Sequence, residues 1–409
     1  MAWQKVKLGE LYEVHNGLSK GGKFFGSGFP FLSFSTVFNN WFIPKEIKDF
    51  VQSTEKEQES YSIKEGDVFI TRTSETADEL GMSCVALKDY PQATYNGFCK
   101  RLRPIKSDYD VSPRYIGYYL RTSNFRGKFL GLSGTMTTRA SLRNEDLLAM
   151  EIPLPPLATQ QKIADILSAY DNLIENNQKQ IKLLEEAAGR LYKQWFIDLR
   201  FPGHETTKIV DGLPEGWKTV QIQDVCKNIG AGGTPSRSQK SFWENGNIDW
   251  FKTQELCDCW LFEASEKISE EGLKRSAAKM FPANSILMAI YASPTLGRLG
   301  ILTKEACSNQ AALCLQVDES KVSNYWLYLK LFELRDQFNS IARGAGQQNI
   351  SGIIVKETEI ALPTYSIMQQ FSEMIKPFFE KQRTLQLQNI SLTQTRDRLL
   401  PKLMNGGVC

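Results

Sequence analysis

The residues of this sequence best suited to chemistry lie in polar loops, and their side chains suit binding. Gln347, Gln348 and Asn349 follow Arg343 in a glycine-containing loop. A side-chain amide offers one donor and one acceptor, which matches the N6/N7 edge of adenine in the major groove of DNA. An arginine guanidinium suits guanine or a phosphate. From the residues alone, an ordinary polar turn is an equally good interpretation of this loop.

Two other loops offer hydroxyl groups and a guanidinium group each. Residues 134–139 can contact phosphate or thymine through the side chains of Thr135, Thr137, Thr138 and Arg139. Residues 232–237 (GGTPSR) form a tight polar turn whose exposed N–H groups can hold a phosphate. The side chains that add to this turn are Thr234, Ser236 and Arg237. A purely structural turn is again an equally good interpretation.

The sequence offers few residues for catalysis. Only two histidines are present, His15 and His204, and neither lies near a partner for acid–base chemistry. Residues 17–23 (GLSKGGK) resemble a phosphate-binding loop, but Phe24 stands where a Mg²⁺-binding hydroxyl is needed. No GxGxxG motif and no base-flipping motif of the NPPY type is present. We therefore predict no catalytic residue in this chain.

The cysteines and the charge give little further guidance. Cys257 and Cys259 form a CxC, but no second pair follows at metal-binding spacing, so we expect reduced cysteines and no metal site. The 49 Lys and Arg nearly balance 46 Asp and Glu, and a net charge of +3 does not by itself indicate a nucleic-acid ligand. A short basic run, Lys100, Arg101 and Arg103, is expected to form a solvated face.

The composition also limits the cellular setting and the number of domains. Hydrophobic residues make up 42% of the 409 positions, which is enough for folded cores and favours two or three domains. No stretch is long and apolar enough for a membrane span, and the N-terminus lacks the apolar region of a signal peptide. We expect a cytoplasmic protein with no membrane partner.

The chain is an internal duplication. Five pairs of segments recur in the same order, with an offset that drifts between roughly 208 and 218 positions, as loop insertions produce. The pairs begin at Trp3 and Trp217, Gly66 and Asn284, Tyr115 and Tyr325, Ser133 and Arg343, and Ile152 and Ile360. Each half is a mixed domain of short strands, turns and a few helices. Prolines (Pro153, Pro155 and Pro156 in the first half, Pro363 in the second) end each domain, and a long helix follows.

Each long helix carries a narrow heptad stripe, which we call the seam. Alternating steps of four and three define the seam of the first helix, whose apolar members include Ile163, Leu167, Tyr170, Ile174, Ile181, Leu184 and Leu191. Asn177 is its polar member. A seven-residue repeat defines the seam of the second helix, with Phe371, Phe378, Leu385, Leu392 and Leu399. We expect Pro202 to end the first helix and Pro401 to end the second.

A narrow seam favours one partner helix over a broad core. The two helices can therefore pair antiparallel within the chain, or across two chains. Packing on a globular core is the less favoured alternative. About 33 residues of helix give a rod of roughly 50 Å. Such a rod suits a protein that holds two similar domains a set distance apart.

Several motifs together resemble the specificity subunits of type I restriction-modification enzymes. They are residues 153–167 (PLPPLATQQKIADIL), 212–217 (GLPEGW), 232–237 (GGTPSR), 309–311 (NQA), 344–351 (GAGQQNIS) and 398–403 (RLLPKL). The resemblance covers nearly the whole chain. It implies an α+β fold in which two similar mixed α/β target recognition domains are joined by two long antiparallel coiled-coil helices, with a pseudo-twofold internal duplication.

The implied domains are residues 1–158 and 201–365, separated by a spacer helix at 159–200 and followed by a distal helix and tail at 366–409. Each recognition domain then reads one half of a split double-stranded DNA target. The helices set the spacer and dock two modification (methyltransferase) subunits, which recruit motor-nuclease restriction subunits. The resemblance assigns no cofactor to this chain and expects S-adenosylmethionine, ATP and Mg²⁺ on the partner subunits.

The first half departs from the family pattern, so the two domains are expected to read different half-sites. It has residues 17–23 where the second half has GGTPSR, and residues 133–139 (SGTMTTR) where the second half has the glutamine-rich loop. We add Lys20 and Lys23 of the first half, and Arg298 of the second half, to the loop residues above as expected DNA contacts.

Three other functions remain open from the sequence. They are a methyltransferase or nuclease with its own catalytic domain, a coiled-coil scaffold whose two domains bind proteins, and the specificity subunit of a system with fused modification and cleavage subunits.

Overall fold

A computed structural model describes residues 3–74, 80–133, 140–141, 143–291, 295–342 and 349–406. The chain divides into two compact units. The first contains residues 1–174 and 391–409, and the second contains residues 175–390. Each unit therefore includes one repeat together with a segment from each of two long helices. Among the described residues, no helix is both long enough and apolar enough to span a membrane.

The first repeat alternates short strands with short helices and leads into a long helix. Its described elements are β1 (Gln4–Lys7), β2 (Tyr12–Asn16), β3 (Phe25–Leu32), α1 (Phe34–Asn39), β4 (Phe50–Val51), α2 (Glu55–Ser60), β5 (Val68–Thr71), β6 (Thr73–Ser74), β7 (Ser83–Val85), β8 (Thr94–Tyr95), β9 (Cys99–Pro104), α3 (Pro113–Leu120), α4 (Ser123–Ser133), β10 (Ala140–Ser141), α5 (Asn144–Leu148), β11 (Glu151–Leu154) and α6 (Leu157–Tyr192).

The second repeat follows the same plan. Its described elements are β12 (Ile209–Val210), β13 (Leu213–Pro214), β14 (Lys218–Gln221), β15 (Cys226–Ala231), β16 (Ile248–Phe251), β17 (Cys259–Leu261), β18 (Lys267–Ile268), α7 (Glu270–Lys274), β19 (Ile286–Ala289), β20 (Leu299–Leu302), β21 (Cys307–Ser308), β22 (Ala312–Val317), α8 (Asn324–Glu333), α9 (Arg335–Ile341), α10 (Gly352–Glu357), β23 (Glu359–Leu362) and α11 (Tyr365–Met404).

The sheets show the duplication directly. The main sheet of the first repeat has the strand order β2-β9-β5-β7, and that of the second has β15-β22-β19-β20, with β17 added at its edge. In both repeats a smaller sheet contains one parallel pair, β3 with β8 and β16 with β21. The central strands β5 and β19 are buried at every position because apolar runs suit strands covered on both faces.

Each repeat closes on itself before its long helix begins. The first strand pairs antiparallel with the last, so that Val6 lies opposite Ile152 in the first repeat and Val220 lies opposite Ile360 in the second. This pairing brings the last strand to the start of the repeat and fixes the point from which the long helix leaves. Pro153 lies inside β11, opposite Lys5, although we expected it to stop the strand. Because β11 pairs only with β1 among the described strands, the absent N–H of Pro153 is tolerated.

The two long helices run antiparallel within each unit. In the first unit, Ile163 and Leu167 of α6 join a core cluster with Leu400 and Leu403 of α11. In the second unit, the later part of α6 joins a core cluster with the earlier part of α11, and Tyr192 lies against Phe371 with a ring separation of 6.2 Å. Each repeat therefore completes its core with both helices.

The residues expected in the seam are all buried or partly buried, and most of their neighbours along each helix are exposed. The fully buried members are Ile163, Leu167, Asn177, Phe371 and Leu385. The partly buried members are Tyr170, Ile174, Ile181, Leu184, Leu191, Phe378, Leu392 and Leu399. The stripe of burial thus follows the heptad spacing along both helices.

Polar contacts cross between the helices at two levels. In the second unit, Asn177 Nδ2 donates a hydrogen bond of 2.9 Å to Asn389 Oδ1. In the first unit, Arg396 Nη1 lies 2.5 Å from Asp171 Oδ1, and the hydroxyl of Tyr118 donates to the other oxygen of Asp171. Buried polar pairs of this kind favour one register of a helix pair over others.

Both long helices end at residues other than those predicted from the sequence. The first continues from Tyr192 through one π-helical turn to Ile197 and ends before Pro202, because Leu199 adopts a positive φ of 55°. The second helix continues through Pro401 to Met404, so our expectation for its end was wrong. Pro401 removes one backbone hydrogen bond, but the turn that contains it buries three apolar side chains, Leu400, Leu403 and Met404.

Candidate nucleic-acid interface

In the second repeat, five segments lie side by side at one end of the main sheet. We call residues 232–237, 290–291, 295–298, 309–311 and 349–350 the second edge. The backbone N–H of Gly233 donates to Ser308 O at 2.9 Å, and that of Ile290 donates to Ala311 O at 2.9 Å. The N–H of Ile350 donates in turn to Ile290 O at 3.0 Å. The sheet therefore gathers the polar loops that the sequence placed far apart.

Two glycines allow the first of these loops to approach so closely. A Cβ atom added to Gly232 would lie 2.2 Å from the carbonyl oxygen of Ser308, and one added to Gly233 would lie 2.0 Å from that of Ala277. No real Cβ tolerates such distances, so any larger residue would push the loop away from the sheet. The indole N–H of Trp250 fixes the loop further, because it donates to Gly233 O at 2.8 Å.

The loop ends in a guanidinium that is held by a tryptophan ring and a carboxylate. The guanidinium of Arg237 stacks 3.7 Å from the ring centre of Trp243 and contacts Glu266. Glu266 also accepts a hydrogen bond of 2.7 Å from Lys252 Nζ. The hydrogen bond from Arg237, followed by that from Lys252, lowers the pKa of Glu266. Arg237 thus presents a half-exposed cation in a fixed orientation, and its charge is already partly balanced.

The other expected residues of this edge are placed as follows. Thr234 hydrogen-bonds to Gln310, and Ser236 is exposed. Arg298 is partly buried at the base of the β19–β20 hairpin, and Asn349 pairs with Tyr291 on the same hairpin. Arg343, Gln347 and Gln348 lie outside the described residues, as do the Thr135, Thr137, Thr138 and Arg139 of the first repeat.

The first repeat builds the same edge from other residues. We call residues 18–20, 72–74, 96–98 and 140–141 the first edge. The N–H of Leu18 donates to Tyr95 O at 2.8 Å, and that of Arg72 donates to Phe98 O at 2.9 Å. These bonds correspond to those of Gly233 and Ile290 in the second edge. The frame is common to both repeats, and the side chains on it differ.

The two lysines expected to contact DNA in the first repeat have different surroundings. Lys20 Nζ lies 2.7 Å from Glu57 Oε2 and also donates to the carbonyl of Gln52. The hydrogen bond from Lys20 is the main cause of a lowered pKa of Glu57. Lys23 is exposed beside the edge, with Nζ 5.1 Å from the ring centre of Phe24. Lys23 is therefore the more accessible cation of the two.

Three edge residues were missing from the sequence prediction. Gln310 belongs to the NQA turn that the sequence analysis quoted, and its side chain is exposed. Arg72 donates from Nε to Gly97 O at 2.9 Å, and the neighbouring Phe98 is 54% exposed. Arg72 could have been found from the duplication. The offset between Gly66 and Asn284 aligns Arg72 of the first repeat with Ile290 of the second edge.

The basic run in the first repeat is not a solvated face, so that expectation was wrong. Lys100 and Arg101 are buried in β9, and Arg103 donates two hydrogen bonds to the buried Asp67, at 2.8 and 2.7 Å. Burial, and then the nearby charge of Arg72, lower the pKa of Lys100. The sequence could not show this because the run lies within β9, where Lys100 and Arg101 on opposite faces are both covered.

The described residues offer no obvious catalytic arrangement. Among them, no group of three or more His, Cys, Asp or Glu side chains is placed to hold a metal ion. His15 and His204 lie at separate exposed or partly exposed positions, each near a glutamate. The seven described cysteines are free thiols.

Comparison with known proteins identifies the family. The sequence model of the family described as the type I restriction modification DNA specificity domain matches residues 2–186 and again residues 214–394. The chain belongs to this family. The specificity domain therefore occurs twice, once in each repeat, which confirms the resemblance and the duplication predicted from the sequence.

Relatives match along almost the whole chain. The MjaIX type I restriction enzyme specificity subunit of Methanocaldococcus jannaschii is 28% identical, over 99% of this chain and 93% of that protein. The HindI specificity subunit of Haemophilus influenzae is 23% identical, over 99% of each. The crystal structure of a type I system S subunit from M. genitalium aligns with a TM-score of 0.59 at 14% identity, over 98% of this chain and 96% of that one. This last likeness supports the predicted fold class.

The charge cluster at Arg237 yields a prediction about stability. Glu266→Gln should lower the free energy of unfolding at neutral pH by at most about 1 kcal/mol, because the ion pairs are partly exposed. The folded-state pKa of Glu266 lies below its unfolded value, so its contribution is present above the unfolded pKa. The contribution disappears as the pH falls through the folded-state pKa. Urea unfolding of wild type and variant at a series of pH values measures this difference.

The matched control is Glu244→Gln, which changes an exposed carboxylate next to Trp243, the ring on which Arg237 stacks. It should leave the unfolding free energy unchanged at every pH. A Glu266→Gln deficit that persists undiminished in acid would contradict the assignment of the lowered pKa to these ion pairs.

Proposed function

We propose that this chain is the DNA-specificity subunit of a type I restriction-modification complex, in which each repeat reads one half of a bipartite DNA target. The observation that carries the proposal is the pair of edges. Both repeats bring corresponding loops together at the same end of the same sheet, yet with different side chains on them. A common backbone arrangement that presents different side chains suits the recognition of two different half-sites.

The second edge offers amide groups for base reading, and both edges offer cations. Exposed Gln310 and the neighbouring Asn349 supply amide groups, which pair with the N6/N7 edge of adenine. Lys23 and the guanidinium of Arg72 supply positive charge at or beside the first edge, which suits phosphate or guanine.

The long helices supply the spacer and the docking surface. Both are paired through a narrow seam, so their outward faces remain exposed; most of the exposed residues are polar, but Leu173, Leu183 and Leu387 are exposed too. We propose that two methyltransferase subunits dock there and that motor-nuclease restriction subunits join through them. S-adenosylmethionine, ATP and Mg²⁺ then belong to those partners, and this chain contributes no catalytic group. Because the target is DNA, we expect the complex to work in the cytoplasm.

Sequencing of methylated bases tests this function. Cells that express the chain with its methyltransferase subunit should gain methylation at one split target, and cells that lack the chain should lose it. The purified chain alone should bind DNA with an affinity that falls steeply with salt, because counterions are released, and should transfer no methyl group. Methyl transfer by the isolated chain, or DNA affinity that is independent of salt, would contradict the proposal.

The spacer role predicts that the helices set the gap between half-sites. One heptad should be inserted in each helix, after Ile174 and after Ile390, where the two units meet along the sequence. Seven residues lengthen a helix by about 10.5 Å and preserve the seam. At about 3.4 Å per base pair, the preferred gap should grow by about three base pairs while both half-sites stay the same.

The matched control for that experiment inserts seven residues in segment 204–208, which is exposed or partly exposed and lies outside both long helices. It should leave the gap unchanged. An unaltered gap in an active complex with the lengthened helices would contradict the spacer role.

Base contacts and phosphate contacts should have different signatures at the second edge. Asn349→Ala should cost about 1–3 kcal/mol of discrimination at one base of one half-site, because an amide pairs with a specific base. Arg298→Ala should weaken binding to all sequences and reduce the salt slope by about one, as loss of a phosphate contact does. Mutant methylomes and salt titrations measure the two effects. Wild-type behaviour in both variants would mean that the second edge does not face DNA.

A further inference from the structure

An arginine behind the second edge ties its hairpin to the rest of the repeat. Arg335 Nε donates to Gly297 O at 2.8 Å, in the turn that connects β19 and β20. Its Nη1 donates to Asp258 Oδ2 at 3.0 Å, and its Nη2 contacts Asp258 Oδ1. The guanidinium therefore bridges the hairpin and the residue that precedes β17.

Asp258 is itself held against the hairpin. Its carboxylate accepts a hydrogen bond of 3.0 Å from the N–H of Leu299, the first residue of β20. Its own N–H donates to Leu299 O at 2.9 Å, and its backbone has a positive φ of 58°. An aspartate tolerates that conformation better than most residues because its short polar side chain can hydrogen-bond locally. Arg335, Asp258 and Leu299 thus form one closed set of contacts.

The hairpin turn is shaped to receive the arginine. Gly297 has a φ of +78°, and a Cβ added there would lie 2.8 Å from Arg335 Cγ. The position therefore needs glycine both for its backbone and for the space that the arginine fills. Arg335 is also the first residue of α9, where a cation opposes the helix macrodipole. Helix formation does not favour an arginine at this position, whereas the clamp on the hairpin does.

The first repeat carries an equivalent clamp built from other atoms. Arg121, at the end of α3, donates from Nε to Ser83 O at 2.7 Å in the corresponding hairpin. Its Nη2 donates to Asn40 O at 2.6 Å, two residues before Phe42, whose bridge to Val85 corresponds to that of Trp260 to Ile301. Gly81 matches Gly297, with a positive φ of 72° and its N–H bonded to Thr71 O. Each repeat therefore has an arginine that joins this hairpin to the segment beside it, although the two arginines lie at different positions of their helices.

The clamped hairpin is connected directly to the reading groups. Ala289 N–H donates to Arg298 O at 2.9 Å, and Tyr291, two residues beyond Ala289, pairs with Asn349. A shift of the turn at Gly297 would therefore carry Arg298 and Asn349 with it. Recognition of a base edge depends on placement to within a fraction of an ångström.

We propose that Arg335 and Arg121 are positioning residues that set the sequence discrimination of the second and first repeats respectively, by fixing the hairpin of each edge. This inference rests on the proposed function, because it assumes that the edges read DNA. Neither arginine is assigned to touch DNA. Each acts through the hairpin it holds.

Conservative substitutions in the intact complex test the inference. Arg335→Lys and Arg121→Lys keep the charge but lose the planar fork that reaches two partners at once. Each variant chain is assembled with the methyltransferase subunit, and kcat/KM for methylation is measured on the wild-type target and on duplexes with single-base changes in either half-site. Arg275→Lys is the matched control, because Arg275 makes an ion pair of 2.7 Å with Glu271 on the exposed surface of the same repeat.

The expected result is a crossed pattern. Arg335→Lys should reduce discrimination by about tenfold in one half-site, which lies within the range that one bidentate base contact provides. Arg121→Lys should do the same in the other half-site, and Arg275→Lys in neither. Retained discrimination in both half-sites, or an equal loss in both from a single variant, would overturn the proposal.

Two further outcomes are distinguishable. Asp258→Asn, which weakens the same clamp, replaces Arg335→Lys if that variant does not assemble. Failure of both to assemble would show that the clamp supports folding alone, and would overturn the positioning role. A wild-type complex without sequence-specific methylation would instead refute the proposed function.

Discussion

The rest of the structure depends on the pairing of two helices that lie far apart in the chain. Asn177 and Asn389, which meet through their side-chain amides, are separated by 212 positions. Closing so long a loop costs conformational entropy, which the seam and the adjoining cores must offset. The cores are arranged to do so, because each contains apolar residues from both helices. The first repeat is therefore completed by the last residues of the chain, including Leu403 and Met404.

The two repeats share one backbone arrangement and differ in the side chains that it presents. The backbone bonds that gather the edge loops recur in both repeats, while the side chains on those loops differ. Such an arrangement lets one edge change its side chains without disturbing the sheet or the helices. The residues behind the edges follow the same pattern. Arg121 and Arg335 hold corresponding hairpins, but they donate to different acceptors.

Local and periodic features were predictable from the sequence. The duplication followed from matched segments such as those at Trp3 and Trp217, and the helix pairing followed from heptad spacing. Features that depend on tertiary contacts were not predictable. Pro401 remains helical because its turn is buried, and the basic run at Lys100 is covered because of what packs on β9. The Arg335–Asp258 pair joins residues 77 positions apart, and no local pattern marks either residue.

The central claim is that each repeat independently reads one half-site on a common frame. The most direct test replaces residues 217–362 with residues 3–154, which span the corresponding strands of the first repeat. The methylated target of the resulting complex is then determined by sequencing. The account predicts a target in which the first half-site occurs twice and the second is absent. An active complex that still methylates the original asymmetric target would contradict it.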